Sequence, residues 1–420
     1  MIAALALLAL GLVATAGVVN ALRPPRAWWL WFLGWVAAWI TVELAAHLIV
    51  LSGLAAALLI WLGALEHTMG IIGLALLAAA DAVGAFHVWH ASRTRGFASG
   101  IVAELDPEPE APRFPRSHVV FPFLMFRRRG VRHERGIVYA HRGSFPLKLD
   151  VYAPEAPAER PRPAIVEVHG GGWVSGTRKE QGIPLLNHLA ANGWVGFNVS
   201  YRLSPLATWP DHAVDVKQAI AWVREHAEEL GVDPSFVAIT GGSAGGHICA
   251  FCALTSGDRS LQPGFEHADT SVAAAVPFYG VYDFLDPDVI HHRLLHWVLE
   301  RYVFKALIAD EPERFRAASP LHLVHTDAPP FLIVHGERDS LVPAEDARRF
   351  AAALREVSRN PVVYAEMRGG EHAFDLIPSP RTAPVIEAIE RFLHTLRSRS
   401  LEGGRRPAPA TVAELEDAIT

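Results

Sequence analysis

The segment that most constrains the fold of this 420-residue chain is an apolar run that leads directly into a glycine-rich turn. Residues 236–240 form a short run rich in β-branched side chains, which predicts a buried strand. The turn places Ser243 between Gly241 and Gly245, and residues 244–254 then predict a helix. A Gly-x-Ser-x-Gly turn at such a junction exposes the serine hydroxyl near a helix N-terminus. Because glycine-rich turns are common, this one predicts chemistry only if a base, an acid and oxyanion donors accompany it.

Candidates for the acid and the base lie in loops that follow later predicted strands. Residues 330–336 form an apolar strand, and Asp339 lies just beyond its end. Residues 362–367 form another strand, and His372 lies in the loop that follows. The chain order serine, acid, histidine is the one that accompanies a serine in this kind of turn. We therefore predict a catalytic triad of Ser243, Asp339 and His372.

Candidate oxyanion donors lie upstream of the serine. A predicted strand over residues 164–168 runs straight into His169-Gly-Gly-Gly-Trp173. The backbone N–H groups of Gly171 and Gly172 are expected to join that of Ala244 in an oxyanion hole. The predicted mechanism is two-step acyl transfer: the serine attacks an ester carbonyl and water then releases the acid. Such a mechanism needs neither a metal nor an organic cofactor, so we expect none.

Four segments together resemble the α/β-hydrolase carboxylesterases of the hormone-sensitive-lipase-like and feruloyl-esterase-like groups: residues 169–173, 241–246, 336–343 and 369–374. The resemblance covers roughly residues 136–397. The resemblance implies an α/β-hydrolase fold and an ester substrate. Strands that alternate with helices independently predict a mostly parallel sheet flanked by helices, with the site at the carboxyl ends of the strands. One departure is Gly242, where hormone-sensitive-lipase relatives usually have aspartate. A second is the absence of their Asp-Pro-Leu-x-Asp pattern around the acid.

Residues 284–329 interrupt the alternation with helical, aromatic-rich sequence, which we expect to form a cap over the acyl pocket. This stretch contains His291, His292 and His296, but no cysteine or carboxylate accompanies them at ligand spacing. We therefore predict packed or solvated helix there and no metal site. The preceding residues 182–192 and 213–230 are helical by periodicity, as expected between parallel strands.

Residues 1–91 are predicted to form three or four transmembrane helices. Residues 2–22 carry no charge and suffice to cross a bilayer. This segment has no Lys or Arg at its start, which favours a retained helix over a signal peptide. Residues 27–65 are too long for one straight span, with a break expected at Ser52-Gly53, and residues 69–89 supply another span.

The positive residues that flank these segments predict the orientation. These residues form two pairs, Arg23 with Arg26 and Arg93 with Arg95. Both pairs lie in the cytoplasm only if the chain crosses the membrane an even number of times between them. Three spans then place the N-terminus outside and the catalytic domain in the cytoplasm, whereas four spans place that domain outside. We predict a multi-pass cell-membrane protein with a cytoplasmic catalytic domain.

The ionisable residues within the apolar segments include Glu43, His47 and Asp81. Glu43 and His47 share one face of a continuous helix, and we expect them to pair with each other or with Asp81 inside a small bundle. A transport pathway is the alternative, but no other residue of the chain favours it.

Residues 92–135 form a linker and a basic juxtamembrane segment. Residues 106–112 are acidic and proline-rich, which disfavours packing. Residues 121–126 are rich in aromatic side chains and precede Arg127-Arg-Arg129, a combination that suits an anionic membrane surface or a segment docked on the catalytic domain. Residues 398–420 form a C-terminal tail.

The two cysteines, Cys249 and Cys252, fall on the helix after Ser243, so we predict small buried residues and neither a redox site nor a disulfide. His247 lies on the same helix and is a poorer candidate base than His372. A net charge of −6 implies no attraction to nucleic acid.

The sequence as a whole predicts a membrane-anchored serine carboxylesterase or lipase. Its expected partners are the membrane and a small-molecule or lipid ester. The alternatives are an arylformamidase-like or prenylcysteine-methylesterase-like hydrolase on the same scaffold, or a membrane-anchored protein that binds a ligand without turnover.

Overall fold

The computed structural model describes residues 1–23, 30–94, 112–286 and 293–402, in which a set of N-terminal helices lies against an α/β domain. The domain contains an eight-stranded sheet in the order β1-β2-β4-β3-β5-β6-β7-β8. The strands are β1 (Val131–Arg142), β2 (Phe145–Pro154), β3 (Arg162–Val168), β4 (Val195–Val199), β5 (Val232–Gly242), β6 (Ala274–Phe278), β7 (Phe331–Gly336) and β8 (Val362–Met367). The β1-β2 hairpin and the β2-β4 pair are antiparallel, and every pair from β4 to β8 is parallel. This mostly parallel sheet confirms the predicted α/β-hydrolase fold.

Helices cover both faces of the sheet because alternate strand residues point to opposite sides. Val166 and Ile239 belong to one core cluster, whereas their strand neighbours Ile165 and Ala238 belong to the other. The helices of the first face are Asp211–Glu225, Ala227–Leu230, Ala244–Leu254 and Ala344–Val357. Those of the second face are Ile183–Ala191 and Thr382–Leu401.

The predicted cap region forms three short helical pieces in its described part. They are Arg293–Val298, which continues as a π-helix over Leu299–Phe304, then Pro312–Ala318 and a 3₁₀ turn at Pro320–Leu323. Val303, Phe304 and Phe315 are fully buried against the core of the domain. His291 and His292 lie outside the described residues.

The described part of the N-terminal region contains four α-helices: α1 (Ile2–Leu22), α2 (Trp31–Glu43), α3 (Ala45–Trp61) and α4 (Thr68–Ser92). Helices α1 and α4 are each long and apolar enough to cross a membrane. Phe32–Glu43 and Ala45–Trp61 pass the same test only as a pair, which is bent by 83°. The predicted break at Ser52-Gly53 is wrong, because α3 runs through it and the bend lies at Leu44.

The three helices α1, α3 and α4 form a bundle with small residues at its crossings. A Cβ atom on Gly73 would lie 2.5 Å from the backbone N of Leu8, so α1 and α4 approach backbone to backbone. Gly70 of α4 faces Ala4 of α1, whereas Gly73 faces Leu8, so these two helices are parallel. Helix α3 runs the opposite way: Ser52 Oγ bonds to Asp81, and Ile49 packs on Gly84.

The bend at Leu44 overturns the expected pairing of the ionisable residues. It places Glu43 and His47 on different helices, so they do not share one helix face. Glu43 pairs instead with Arg381 of the α/β domain at 2.5 Å, and His47 Nε2 lies 3.0 Å from the carbonyl oxygen of Val120. Asp81 accepts the bond from Ser52 within the bundle.

The juxtamembrane segment packs on the α/β domain, while several of its aromatic side chains remain exposed. It forms a short helix (Arg116–Val120) and a 3₁₀ turn (Pro122–Phe126), and Asn187 Nδ2 donates to the carbonyl of Met125. Phe121, Phe123 and Phe126 nevertheless remain about half exposed or more. Arg26, Arg95, residues 106–111 of the acidic linker and residues 403–420 of the tail lie outside the described residues.

Candidate active site

The turn between β5 and the helix Ala244–Leu254 brings strand and helix unusually close. Ser243 has φ 58° and ψ −120°, a strained conformation for a residue with a side chain. A Cβ atom on Gly245 would lie 1.9 Å from the carbonyl oxygen of Val168, and one on Gly241 2.5 Å from the same oxygen. Only glycine fits at these two positions, which explains why the serine is flanked by them.

The structure brings the three predicted triad residues together in one hydrogen-bonded line. His372 Nε2 lies 2.9 Å from Ser243 Oγ, and His372 Nδ1 lies 2.7 Å from Asp339 Oδ2. Each side chain projects from beyond the carboxyl end of a parallel strand: β5 for the serine, β7 for the aspartate and β8 for the histidine. Ser243 and His372 are 129 positions apart in the chain, and Asp339 and His372 are 33 positions apart. All three nevertheless meet at one edge of the sheet.

The second carboxylate oxygen of Asp339 is occupied by its own loop. Oδ1 accepts the N–H groups of Leu341 and Val342 at 2.9 and 2.7 Å, which fixes the carboxylate plane. Burial alone would raise the pKa of Asp339, but His372 and His335 outweigh it and hold the pKa well below its usual value. The carboxylate is therefore ionised and directed at the imidazole.

Glu371, which the sequence did not single out, fixes the loops of the acid and the base relative to each other. One of its carboxyl oxygens accepts the N–H of Ser340 at 2.7 Å and that of His372 at 2.8 Å. Burial, together with the nearby negative charge of Asp339, raises the pKa of Glu371 to about 8. Its place directly before His372 was the only sequence signal for this role.

The predicted oxyanion loop lies against the serine turn with free donors. The N–H of Gly170 is taken by Gln181 Oε1 at 2.6 Å, whereas no acceptor among the described residues takes those of Gly171 and Gly172. Ala244 is the first residue of its helix, so its N–H has no acceptor within that helix. Among the described residues, none of the three predicted donors therefore has a backbone acceptor.

His169 anchors this loop. Its ring stacks on Tyr201 at 4.5 Å, and Tyr201 donates its hydroxyl to the carbonyl of His169. Burial lowers the pKa of His169 to about 4, so the ring is neutral and its Nδ1 donates to the carbonyl of Gly170. The side chain therefore acts on the shape of the loop and carries no charge into the site.

The departure at Gly242 has a structural cause. A Cβ atom there would lie 2.7 Å from the hydroxyl of Tyr279, so the tyrosine occupies the space that a larger residue would need. Tyr279 donates its hydroxyl to Asp375, and its ring lies 4.6 Å from the ring of His372. The aromatic ring thus forms a wall behind the histidine.

His247 is buried away from the serine hydroxyl. Its Nε2 donates to the carbonyl of Ala318 at 2.8 Å, and burial lowers its pKa to about 3. Cys249 and Cys252 are free and fully buried on the same helix, and burial raises the pKa of Cys252 to about 12. The two thiols are therefore neutral packing residues, as predicted. Among the described residues, no group of three or more His, Cys, Asp or Glu could hold a metal ion.

A mostly parallel sheet with a strained serine between strand and helix defines the class of α/β-hydrolases. The BD-FAE family model matches residues 149–354. The probable carboxylic ester hydrolase LipM of Mycobacterium tuberculosis is 45% identical, over 69% of this chain and 67% of LipM. The chain belongs to this family of α/β-hydrolase esterases and is a carboxylic ester hydrolase.

Two further comparisons describe the extent of the likeness. Esterase LipQ of Mycobacterium tuberculosis is 38% identical over 89% of this chain and 87% of its own length, so the likeness extends beyond the hydrolase domain. The butyrate-bound structure of the Thermogutta terrifontis esterase Est2 is 29% identical, with a TM-score of 0.52. That match covers 66% of this chain and 95% of Est2.

Proposed function

We propose that the chain hydrolyses carboxylic esters through an acyl-enzyme on Ser243, with His372 as general base and Asp339 as its orienting carboxylate. The observation that carries the proposal is the unbroken line from Ser243 Oγ to His372 Nε2 at 2.9 Å and from His372 Nδ1 to Asp339 at 2.7 Å. Both distances are within hydrogen-bond reach, as a nucleophile and its base require.

The first step forms the acyl-enzyme. His372 Nε2 takes the proton from Ser243 Oγ as that oxygen attacks the ester carbonyl. The N–H groups of Gly171, Gly172 and Ala244 bind the oxyanion, and losing one such donor typically costs about 100-fold or more in turnover. The imidazolium then gives its proton to the departing alcohol, and the acyl group remains on the serine.

The second step releases the acid. His372 takes a proton from water, whose oxygen attacks the acyl carbonyl in the same oxyanion hole. The proton then returns to Ser243 Oγ as the acid leaves. Throughout both steps Asp339 keeps the proton of the neutral ring on Nδ1 and stabilises the imidazolium.

The substrate class we propose is a small ester with a short acyl chain. The butyrate-bound Est2 supports this choice, because its fold and reaction class match those of this chain. In addition, Leu295 of the cap lies close to Gly172 of the oxyanion loop, with about 4.0 Å between its Cδ1 and an added Cβ atom. A side chain so close to the oxyanion hole limits the room around the acyl group.

We further propose that α1, α3 and α4 each cross the membrane and that the catalytic domain lies in the cytoplasm. The parallel α1 and α4 end at Leu22 and Ser92, and α3 returns between them, so Arg23 and Arg93 share one side. Helix α3 has 17 residues, enough for about 25 Å at 1.5 Å per residue. Single-cysteine labelling at the exposed positions His267 and Trp61 tests this orientation: only the second should react from outside.

A p-nitrophenyl ester series from acetate to palmitate tests the activity, with Ser243→Ala as the control. We expect a maximum at short chains and no turnover in the variant. A maximum at long chains contradicts the short-chain proposal and indicates lipid hydrolysis. Hydrolysis of S-prenylcysteine methyl ester or a formyl amide without that of simple acyl esters assigns the chain to another hydrolase type on the same scaffold.

A further inference from the structure

We propose that α2 is a positioning element of the active site: the indole N–H groups of Trp35 and Trp39 hold the backbone of the loop that carries His372. The N-terminal region would then set the rate of turnover as well as the location of the enzyme. The inference rests on the proposed role of His372 as general base.

Two hydrogen bonds connect α2 to the histidine loop. Trp35 Nε1 donates to the carbonyl of His372 at 3.1 Å, and Trp39 Nε1 donates to the carbonyl of Ala373 at 2.8 Å. The two tryptophans are one helical turn apart, so both indoles leave the same face of α2. The Trp35 ring also lies edge-on to the His372 imidazole, at 6.2 Å between centroids.

The backbone that receives these bonds is strained. Ala373 has φ 62°, a left-handed conformation that an alanine adopts only when its surroundings impose it. Its carbonyl oxygen accepts the Leu376 N–H at 3.2 Å in addition to the Trp39 bond. Removing the indole donor therefore removes one of the contacts that keep this residue in its conformation.

A buried ion pair fixes the far end of the same loop. Glu43, one turn beyond Trp39, contacts Arg381 at 2.5 Å and accepts the Ser379 hydroxyl at 2.9 Å. The side chains of Glu43 and Arg381 are 1% and 0% exposed, so the pair is protected from water. Thr382, just beyond the loop, donates its hydroxyl to the carbonyl of Phe374. Residues 372–382 are thus held against α2 at both ends.

This arrangement differs from ordinary helix packing because its donors are directed at main-chain carbonyls of the catalytic loop. Trp61, on α3, shows the alternative, since its side chain is 81% exposed. The geometry that α2 maintains is the 2.9 Å contact between His372 Nε2 and Ser243 Oγ. A base displaced by 1 Å typically loses about 100-fold in rate.

The test compares full-length variants in lipid nanodiscs: Trp35→Phe, Trp39→Phe, the double variant, and Trp61→Phe as the matched control. Phenylalanine keeps an aromatic ring for packing and removes the indole donor, and Trp61→Phe makes the same change in size. Turnover of p-nitrophenyl butyrate is normalised to active sites titrated with a fluorophosphonate, so that unfolded protein does not contribute. We expect the double variant to lose about 10- to 100-fold in kcat with KM unchanged, and the fluorophosphonate labelling rate to fall in parallel. Trp61→Phe should match the wild type.

The outcomes separate the two proposals. If Ser243→Ala is inactive but the double variant keeps wild-type kcat per active site, the positioning role of α2 is wrong and the proposed triad stands. If Ser243→Ala remains active, the triad itself fails. If the double variant does not fold, Trp35→Phe alone decides: a lower kcat at an unchanged Tm supports the role, and an unchanged kcat overturns it.

Discussion

The α/β domain and the N-terminal helices differ in how much their sequences reveal about their contacts. In the α/β domain the ends of β5, β7 and β8 are followed by residues of specific chemistry, such as Ser243 and His372, and these meet within hydrogen-bond distance. Helix α1, in contrast, has no charged residue, and its buried side chains resemble its exposed ones. Apolar residues are equally stable in lipid and in a protein core, so their pattern predicts helices but not what each helix touches.

The bend at Leu44 illustrates the difference. Ser52 and Gly53 favour a break by composition, yet α3 continues through both, and Ser52 bonds to the carbonyl of Ile49 and to Asp81. The true bend follows Glu43, whose partner Arg381 is 338 residues further along the chain. Only the folded α/β domain supplies that partner, so the segment by itself could not reveal it.

The largest effect on activity within the α/β domain is expected when Asp339 is replaced with asparagine. The amide keeps the shape of the side chain but favours the wrong tautomer of His372, so we expect kcat to fall by about 10⁴-fold. Burst kinetics with p-nitrophenyl butyrate measure the effect on acylation directly. Asp327→Asn is the control, because that carboxylate is exposed. A loss of less than tenfold in Asp339→Asn contradicts the assigned role.

A glycine-to-alanine pair compares the packing of the two regions. Gly245→Ala places a methyl group 1.9 Å from the carbonyl oxygen of Val168, which only movement of the backbone relieves. We expect a loss of about 3 kcal/mol or more in the free energy of unfolding, at the upper end for overpacking. Thermal unfolding of purified Gly245→Ala and of a matched glycine-to-alanine variant on α3 provides the measurement.

The matched substitution is Gly53→Ala on α3. No atom lies within 4 Å of a Cβ added there, and alanine favours a helix by about 1 kcal/mol over glycine. We therefore expect Gly53→Ala to leave Tm unchanged or raise it. Equal destabilisation by the two alanines would show that the close strand–helix contact is not required.

The pH dependence of stability should depend on Glu371. Its pKa is raised from 4.5 to about 8, so between these values the unfolded chain has lost the proton that the folded protein retains. Stability therefore decreases as pH rises through this window, by up to about 1.4 kcal/mol per pH unit. Burial also raises the pKa of Asp346 to about 7 and that of Asp375 to about 6, so Glu371→Gln should reduce this decrease rather than abolish it. Tm measurements from pH 5 to pH 8 detect the difference. Glu356→Gln, on an exposed helix face, should retain it; identical slopes in both variants contradict the assignment.

The sequence predicted the sheet, its hydrolase class and the residues that the structure brings together at Ser243, because each depends on a local signal. A glycine beside the serine, or a histidine after a strand, can be recognised from a few neighbouring residues. The contacts of Tyr279, Glu371 and α2 with the triad residues and their loops were missed because they are tertiary contacts. Trp35 and His372 are 337 residues apart, and an indole in an apolar segment has the same sequence signature whether it faces lipid or a carbonyl.

The most direct test of the central claim is detection of the acyl group itself. The full-length protein is mixed with p-nitrophenyl butyrate, quenched in acid within milliseconds, and analysed by intact-protein mass and peptide mapping. We predict one butyryl adduct on Ser243 that forms in the burst and decays at the rate of turnover, and none in Ser243→Ala. A butyryl group on any other residue, or full turnover by Ser243→Ala, would contradict the mechanism.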